Sequence, residues 1–442
     1  MLRGLFVVAA YLIMFGLGIG VPFILTLGYE WVDMFRPENI LLGAFTAIPF
    51  SFLIGSAAIG FYFLSDRRDP PRIGAMIVIT VLFAGWVTLT TTWAMVPGAA
   101  WAKWDWAFKS VLFSAFIPFV IRSRNQIEAF LQVFIFSLAA DTIPAGAKTI
   151  VSGGGQYGPT LGLMHRNFWL GEGATLATAA LMAIPIIFFL IKHQRIFPRN
   201  IWTKIGYLGL VPLSLATAIG THERTALAGM LVLAGAVWLH SKRKILVAGL
   251  CIATGLVIIQ IAPQSWMDRM ATITHPSEDD SAVVRLQVWA WTLDFVRSHP
   301  QGGGFEVYRI NQITLPGEDP DSPKTQDARA FHSAYFEVLG EHGWIGLGLF
   351  LSLLLLSLRS LRQVARLSRN LPHLAWCRDL SFALQNSLAV LAACGVFIGI
   401  AFQPLFYYMF PLSFILREYV RRVQSTPAVA AVEQPEGFAL AR

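Results

Sequence analysis

Residues 168–191 read FWLGEGATLATAALMAIPIIFFLI, and this stretch decides the class of fold. Its single charged residue is Glu172. A helix needs about 20 predominantly apolar residues to cross the hydrocarbon core of a bilayer. The stretch meets that requirement, so we predict a transmembrane helix here.

The composition extends this prediction to the whole chain. Of its 442 residues, 55% are hydrophobic and 14% are charged, whereas about a quarter of the residues in a soluble domain are charged. Soluble, disordered and disulfide-scaffold proteins are therefore excluded as classes. We predict an all-α polytopic membrane protein with about 12 transmembrane helices. The other apolar segments lie near 4–26, 41–64, 73–96, 107–121, 127–147, 205–220, 225–240, 245–262, 343–358, 380–402 and 404–416.

The loops between these segments differ in charge on the two sides of the membrane. With both termini placed in the cytoplasm, 22 of the 34 Lys and Arg residues fall in cytoplasmic loops. An excess of Lys and Arg in cytoplasmic loops sets the orientation of membrane proteins. We therefore predict cytoplasmic N- and C-termini. The net charge of +8 is then an orientation signal and implies no nucleic-acid partner.

One outer connection is much larger than the others. Residues 263–342 are polar, and within them residues 284–295 place apolar side chains at three- and four-residue steps, which predicts an amphipathic helix. We predict a periplasmic loop domain with short helices here. It separates transmembrane helices 1–9, in residues 1–262, from helices 10–12, in residues 343–416. Residues 417–442 are predicted to be a cytoplasmic tail that is disordered.

Polar residues at the outer ends of apolar segments are the candidates for chemistry, because desolvation makes charge costly there. Arg224 lies in a very short connection between two apolar runs. Arg166 and Asn167 precede the sixth segment, Arg285 lies on the predicted outer helix, and His332 precedes the tenth segment. All of them fall on one side in a topology that was derived without them. The sequence therefore predicts one polar site at the periplasmic face.

Each candidate also has a simpler structural explanation. Arg224 could pair with its neighbour Glu223, as buried charges usually do. Arg166 could be an anchor whose charged end reaches the membrane surface. Arg285 could be a solvated helix residue, and His332 a hydrogen-bonded histidine at the interface. Only their convergence favours a functional site.

The stretch that leads into the tenth segment carries a family resemblance. Residues 332–346 read HSAYFEVLGEHGWIG and resemble the signature of the O-antigen ligase/polymerase superfamily, a His-Asn/Ser pair followed by Glu-x-Gly-x-x-Gly. Arg285 and Trp289 with residues 300–304 resemble the family's Arg…Trp…Pro-x-Gly-x-Gly stretch. Residues 221–227 resemble its (Ser)-Arg-Thr/Gly-Ala-Leu element. The N-terminal half is similar to ligases found beside exosortase systems.

The resemblance implies a glycosyltransferase of the bacterial inner membrane. Members transfer a glycan from undecaprenyl diphosphate to a hydroxyl at the outer face, which in ligases belongs to a sugar of the lipid A core. Arg224, Arg285 and Arg166 are then expected to bind the diphosphate, because the guanidinium fork binds phosphate oxygens bidentately. His332 is expected to be the general base of an inverting displacement. No metal or other cofactor is expected. The secondary candidates are His222, Asn167 and Ser333.

Neighbouring activities and one different class stay open. An O-antigen polymerase or a protein O-oligosaccharide ligase would differ only in its acceptor. A lipid or glycan transporter would bury charge at the bilayer midplane on broken helices and would often show repeated halves. This sequence shows no repeat. It departs from the family pattern at Ser333, where Asn is commoner, and at Glu223, where Ser is commoner.

Overall fold

The computed structural model describes residues 2–37, 48–152, 170–261, 266–267, 280–315 and 324–425, and these are mostly helical. The all-α prediction is confirmed. The helices are α1 Leu2–Gly18, α2 Pro22–Phe35, α3 Phe50–Ser65, α4 Ala75–Thr91, α5 Pro97–Val120, α6 Arg124–Ser152, α7 Gly173–His193, α8 Ile201–Gly220, α9 Arg224–His240, α10 Lys244–Ile261, α11 Asp280–Ser298, α12 Ala334–Leu367, α13 Ala375–Cys394 and α14 Pro404–Ser425. Strands β1 Gln312–Leu315 and β2 Lys324–Asp327 pair antiparallel.

Four described helices, α6, α7, α8 and α12, are long and apolar enough to cross a membrane. Shorter apolar helices of 10–17 residues occur in α1, α3, α4, α9 and α10. The fold is therefore that of a polytopic membrane protein. The number of spans and their orientation stay predictions.

Helix α7 lies at the centre of the bundle. The most apolar part of this helix is 89% buried, and it packs against α6, α8, α9 and α13. A Cβ added to Gly229 of α9 would lie 2.8 Å from Leu181 Cδ1, and Ser387 of α13 donates a 2.6 Å hydrogen bond to the carbonyl of Met182. Small residues at such contacts let membrane helices approach closely. The central helix thus fixes the positions of its neighbours.

The first predicted span, residues 4–26, is wrong as a single helix. The chain forms α1 and α2 instead, with a turn at 19–21. Pro22 begins α2, where its missing N–H costs nothing, but it could not continue the hydrogen bonding of α1. The hydroxyl of Ser65, at the end of α3, donates a 3.3 Å hydrogen bond to the carbonyl of Ile19. The turn therefore lies beside the end of α3. The cytoplasmic N-terminus was predicted from a single span over residues 4–26, and the structure removes that support.

The other end of the chain differs from the prediction as well. Helix α14 runs to Ser425, so residues 417–425, which were predicted as part of a disordered tail, are helical. Val420 is fully buried and Tyr419 packs against the core, so the last turns of α14 have an apolar face to bury. Residues 426–442 lie outside the described residues.

The segment before α12, which is predicted to lie outside the membrane, forms a small packed unit on the first turns of α12, and we call its described residues, 280–315 and 324–333, the outer unit. The predicted amphipathic helix is confirmed as part of α11, whose Val288 is fully buried with Val307, Ile313 and Phe331. The indole of Trp289 donates a 2.9 Å hydrogen bond to the carbonyl of Phe331. The β1–β2 hairpin occupies a region that was predicted as a loop. The unit therefore holds α11 beside the segment that leads into α12.

Glycines join this unit to α12. Gly302 and Gly304 have positive φ values of 83° and 78°, and α12 changes direction at Gly343, whose φ is 64°. The backbone N–H groups of Gly303 and Gly304 donate to the carbonyls of Gly340 (3.0 Å) and Glu341 (2.8 Å). A Cβ at Gly343 would lie 2.1 Å from the carbonyl oxygen of Pro300. Only glycine permits this backbone conformation at such close approach.

Candidate active site

The predicted site residues that the structure describes lie at neighbouring helix ends. Arg224 is the first residue of α9, directly after the turn from α8, Arg285 lies in the first half of α11, and His332 is two residues before α12. The structure brings Arg285 close to both His332 and Glu223, as the electrostatic interactions among them show. Arg166 and Asn167 lie outside the described residues, so their roles stay predictions.

His332 has an unusual backbone that its neighbours hold in place. Its φ is 46°, in the left-handed region that residues other than glycine rarely adopt. On one side, Phe331 accepts the hydrogen bond of Trp289. On the other, the N–H of Ala334 donates a 2.7 Å hydrogen bond to the carbonyl of Gly395. Backbone strain of this kind persists where the surroundings over-determine it, and it is frequent at functional sites.

Ser333 and His222, two of the secondary candidates, are both buried where a helix begins. Ser333 is 1% exposed and stands at the N-cap of α12, although its hydroxyl makes no capping hydrogen bond. His222 is 5% exposed and has a φ of 54° in the turn between α8 and α9. This left-handed residue lets α9 start within four residues of the end of α8. Both histidines of the predicted site therefore lie at strained backbone positions.

The electrostatics of His332 favour its neutral form. Burial lowers the pKa of His332, and the positive charges of Arg285 and Arg329 lower this pKa further. A histidine with a lowered pKa stays neutral at physiological pH and can accept a proton. The imidazole is therefore in the form that a general base needs.

Arg285 interacts electrostatically with His332 and with two carboxylates. Its charge lowers the pKa of Glu172 and that of Glu223, opposing the larger effect of desolvation, which raises both. The Nε atom of Arg285 is shielded from solvent and has no hydrogen-bond partner among the described residues. A buried donor without a partner calls for an explanation such as a missing ligand. Arg285 thus has both the position and the unmet donor capacity of an anion-binding residue.

Glu172 was missed as a site residue by the sequence analysis. It precedes α7, and an added Cβ on the next residue, Gly173, would lie 3.2 Å from Oε1 of Glu223. The N-terminus of α7 therefore packs directly against the turn that carries Glu223 and Arg224. The signal was present, because Glu172 is the only charged residue in the predicted span 168–191. Such a charge is a functional candidate by default.

A second charged group lies beneath this site, and we call it the Lys103 cluster: Lys103, Glu306, Glu337 and Glu341. The ammonium of Lys103 is 2.7 Å from Glu337 Oε1, 2.8 Å from Glu341 Oε1 and 3.8 Å from Glu306 Oε1. Backbone N–H groups complete it, since Glu306 N donates to Glu341 and Ala401 N donates to Glu337. The cluster thus joins α5, the outer unit, α12 and the segment before α14. The sequence analysis missed it.

The described part of the chain contains no group of three or more His, Cys, Asp or Glu residues that could hold a metal ion. In the Lys103 cluster, three carboxylates do converge, but the ammonium occupies the space between them. Asp319 and Asp321, an acidic pair in the outer segment, lie outside the described residues.

The matches to known families divide the chain into two parts. Residues 2–195 match a family of unknown function, DUF5935. Residues 208–351 match the family described as O-Antigen ligase. No curated protein matches the chain. The second match contains Arg224, Arg285 and His332, so the part of the chain that carries the predicted site is similar to the O-antigen ligase family.

Proposed function

We propose that this protein is an O-antigen ligase. It transfers a glycan from undecaprenyl diphosphate to a sugar hydroxyl of the lipid A core, at the periplasmic face of the bacterial inner membrane, with its C-terminus in the cytoplasm. The family match supports a membrane glycosyltransferase of the ligase or polymerase kind. The observation that carries the finer proposal is the position of Arg285, whose charge acts on His332 and on the two carboxylates at the start of α7 and α9.

The arginines have the chemistry that a diphosphate leaving group requires. Negative charge develops on the diphosphate oxygens as the bond to the anomeric carbon breaks, and preorganised cations stabilise that charge in the transition state. Arginine side chains present a planar fork of hydrogen-bond donors that matches phosphate oxygens, which suits Arg285 and Arg224 to this role. Arg166 is proposed as a further contact. In this reaction the arginines select the diphosphate and lower the barrier to its departure.

His332 supplies the complementary proton transfer. Its neutral imidazole removes the proton of the acceptor hydroxyl while that oxygen forms a bond to the anomeric carbon. The bond from this carbon to the diphosphate breaks at the same time, and the electron pair leaves with undecaprenyl diphosphate. Attack opposite the leaving group inverts the anomeric configuration. No metal ion is needed to balance these steps, and we propose a metal-independent reaction.

A transfer assay with three acceptors tests the proposed activity. The purified protein, reconstituted in lipid nanodiscs, receives an undecaprenyl-diphosphate glycan together with lipid A core, a second undecaprenyl-diphosphate glycan or an acceptor glycoprotein. We expect transfer to the lipid A core, with inverted configuration by NMR. Elongation of the second carrier-linked glycan would identify a polymerase, and transfer to the glycoprotein would identify a protein ligase. Inactivity with all three would refute a transferase.

Chelation adds one further arm to the same assay. We expect the rate to be unchanged by EDTA, because arginines compensate the diphosphate charge. A loss of activity that only a divalent cation restores would contradict the metal-independent reaction but leave the acceptor assignment intact.

A further inference from the structure

The end of the molecule opposite to the predicted site contains a cavity that the proposed transfer reaction does not use. It has a volume of about 400 Å³ and lies between the connection after α3, the connection after α5 and the last turns of α14. Four arginines line it, Arg72, Arg122, Arg421 and Arg422. We call it the Arg122 cavity.

The lining of the Arg122 cavity has an excess of positive charge. Among the residues that the structure describes there, two acidic residues, Asp69 and Glu418, face the four arginines. The carboxylate of Glu418 is already engaged, because it lies 3.2 Å from Arg417 and 3.1 Å from Arg421. The lining thus contains two more arginines than acidic residues.

Neutral backbone carbonyls hold two of these arginines in position. Arg422 Nη2 donates a 2.7 Å hydrogen bond to the carbonyl of Arg122. Arg122 Nε donates a 3.1 Å hydrogen bond to the carbonyl of Phe119, and its Nη1 donates to the carbonyl of Asp69. These contacts fix the direction of the guanidinium groups through neutral acceptors. Burial and the neighbouring positive charge of Arg68 lower the pKa of Arg122, because both disfavour its charged form.

The floor of the cavity is apolar. Phe414 and Ile415 of α14 are 1% and 2% exposed and line it together with Pro118 and Ile121. A cationic rim above an apolar floor matches a phosphate group attached to hydrocarbon. Basic pockets between membrane helices on the cytoplasmic side bind lipid headgroups of this kind. Orientation by the positive-inside rule would need arginines in the loop but no shaped cavity and no carbonyls that aim them.

We propose that the Arg122 cavity binds a phosphate-bearing anion, in the membrane the headgroup of an anionic phospholipid. Its assignment to the cytoplasmic leaflet rests on the predicted orientation, whereas the binding itself does not. Bound lipid would connect α14 to the ends of α3 and α5. Free phosphate has the same chemistry at the rim but cannot use the apolar floor.

Lipid binding to the purified wild-type protein provides the first test. Native mass spectrometry and thermal unfolding are measured with phosphatidylglycerol, with phosphatidylcholine and with inorganic phosphate. We expect phosphatidylglycerol alone to stay bound and to raise the unfolding midpoint. An equal effect of inorganic phosphate would assign the cavity to a free anion. Equal retention of both lipids, with no effect of phosphate, would overturn the proposal and leave the arginines as orientation signals.

The variant Arg122→Gln/Arg422→Gln tests whether this cavity is the place of binding. We expect it to weaken phosphatidylglycerol binding about tenfold or more, because each arginine near the headgroup contributes appreciably to lipid attraction. Arg378→Gln is the matched control, since Arg378 belongs to the same predicted cytoplasmic side but does not line the cavity. Equal lipid affinity of the double variant and the control would refute the assignment. These readouts need no transferase activity, so they are independent of the proposed function.

Discussion

The Lys103 cluster and the site around Arg285 both lie at the start of α12, but they differ in how the positively charged side chain is paired. Lys103 has carboxylate oxygens at 2.7 and 2.8 Å, from side chains that α12 itself supplies. The Nε atom of Arg285 has no hydrogen-bond partner among the described residues, although it is shielded from solvent. The ammonium of Lys103 is thus paired within the protein, although Glu341 Oε2 has no hydrogen-bond partner among the described residues. A cation that is paired in this way supports the fold. A group whose donors are left unsatisfied is suited to an external anion.

The backbone does not distinguish the two regions. In the Lys103 cluster, Glu337 and Glu341 lie on α12 and accept from the backbone N–H groups of Ala401 and Glu306, but Glu306 itself has a left-handed φ of 62°. His332 and His222, beside the arginines, have left-handed φ values of 46° and 54°. Left-handed backbone therefore occurs in both regions, and the pairing of the cation is what distinguishes them. Substitutions around Arg285 should affect transfer, and those in the Lys103 cluster should affect stability.

The largest effect is expected for His332→Ala. General-base catalysis contributes about 10²–10⁴-fold, so transfer to the acceptor should fall by that factor while the protein stays folded and binds donor. Wild-type activity should also persist below the ordinary histidine pKa of about 6.5, because the pKa of His332 is lowered, and it should be lost as the pH falls further.

His299→Ala is the matched control for His332, since His299 is a histidine of the same outer unit that stacks on Phe295. It should keep its activity. If His332→Ala retained the wild-type rate at every pH, the proton would have to go to another group, and Glu172 or Glu223 would be the next candidate.

Lys103→Met should have the largest effect on stability. It removes the cation of the Lys103 cluster and leaves buried carboxylates without compensation, which costs about 3–5 kcal/mol. The thermal unfolding midpoint in detergent should fall clearly, and Glu341→Gln in the same chain should restore part of it. Lys109→Met, which breaks the surface pair with Asp105 on the same helix, should cost about 0–1 kcal/mol. An unchanged midpoint for Lys103→Met would show that the cluster does not support the fold.

Arg285→Lys should reduce kcat/KM for the donor by about tenfold or more, because removing one partner of a buried charge-assisted contact costs about 2–5 kcal/mol. Lysine keeps the charge but lacks the planar fork. The unfolding midpoint should not change. Arg297→Lys, on the same helix but in an exposed pair with Asp294, should behave as wild type. A wild-type rate for Arg285→Lys would reduce the role of Arg285 to a simple point charge.

Glu223→Gln is expected to have the smallest effect, a decrease in the KM for the donor of at most about threefold, as is usual for partly screened charges. Removal of this carboxylate makes the site more positive. The pKa of Glu223 is raised, so in the wild type the same gain should appear as the pH falls and the carboxylate is protonated. Titration of donor affinity checks this. Loss of transfer in Glu223→Gln would instead mark Glu223 as the base.

The sequence predicted those features that depend on local periodicity or on the sidedness of charge. The apolar face of α11 was found because its residues recur at helical steps, and Val288 is indeed buried. Arg285 and His332 were placed together because the loop charges give both the same side. These are properties of a single segment or of the whole chain, and the pattern of hydropathy and charge contains them.

Other features were missed because they depend on pairing between distant residues. Lys103 and Glu337 are separated by 234 positions, and nothing local marks them as partners. The turn between α1 and α2 was missed because its residues, including Gly20 and Val21, are as apolar as the helices beside it. Hydropathy therefore does not detect a turn that the backbone chemistry of Pro22 imposes.

The glycine joint between the outer unit and α12 also determines where the protein can vary. Its hydrogen bonds run from backbone to backbone, and a Cβ at Gly302 would lie 2.5 Å from the carbonyl oxygen of Glu341. The joint thus excludes side chains from its own positions but needs no particular side chain around them. Residues in the β1–β2 hairpin can change without moving the joint. Substitutions in the outer unit are therefore expected to change the preferred acceptor without changing the backbone geometry of His332.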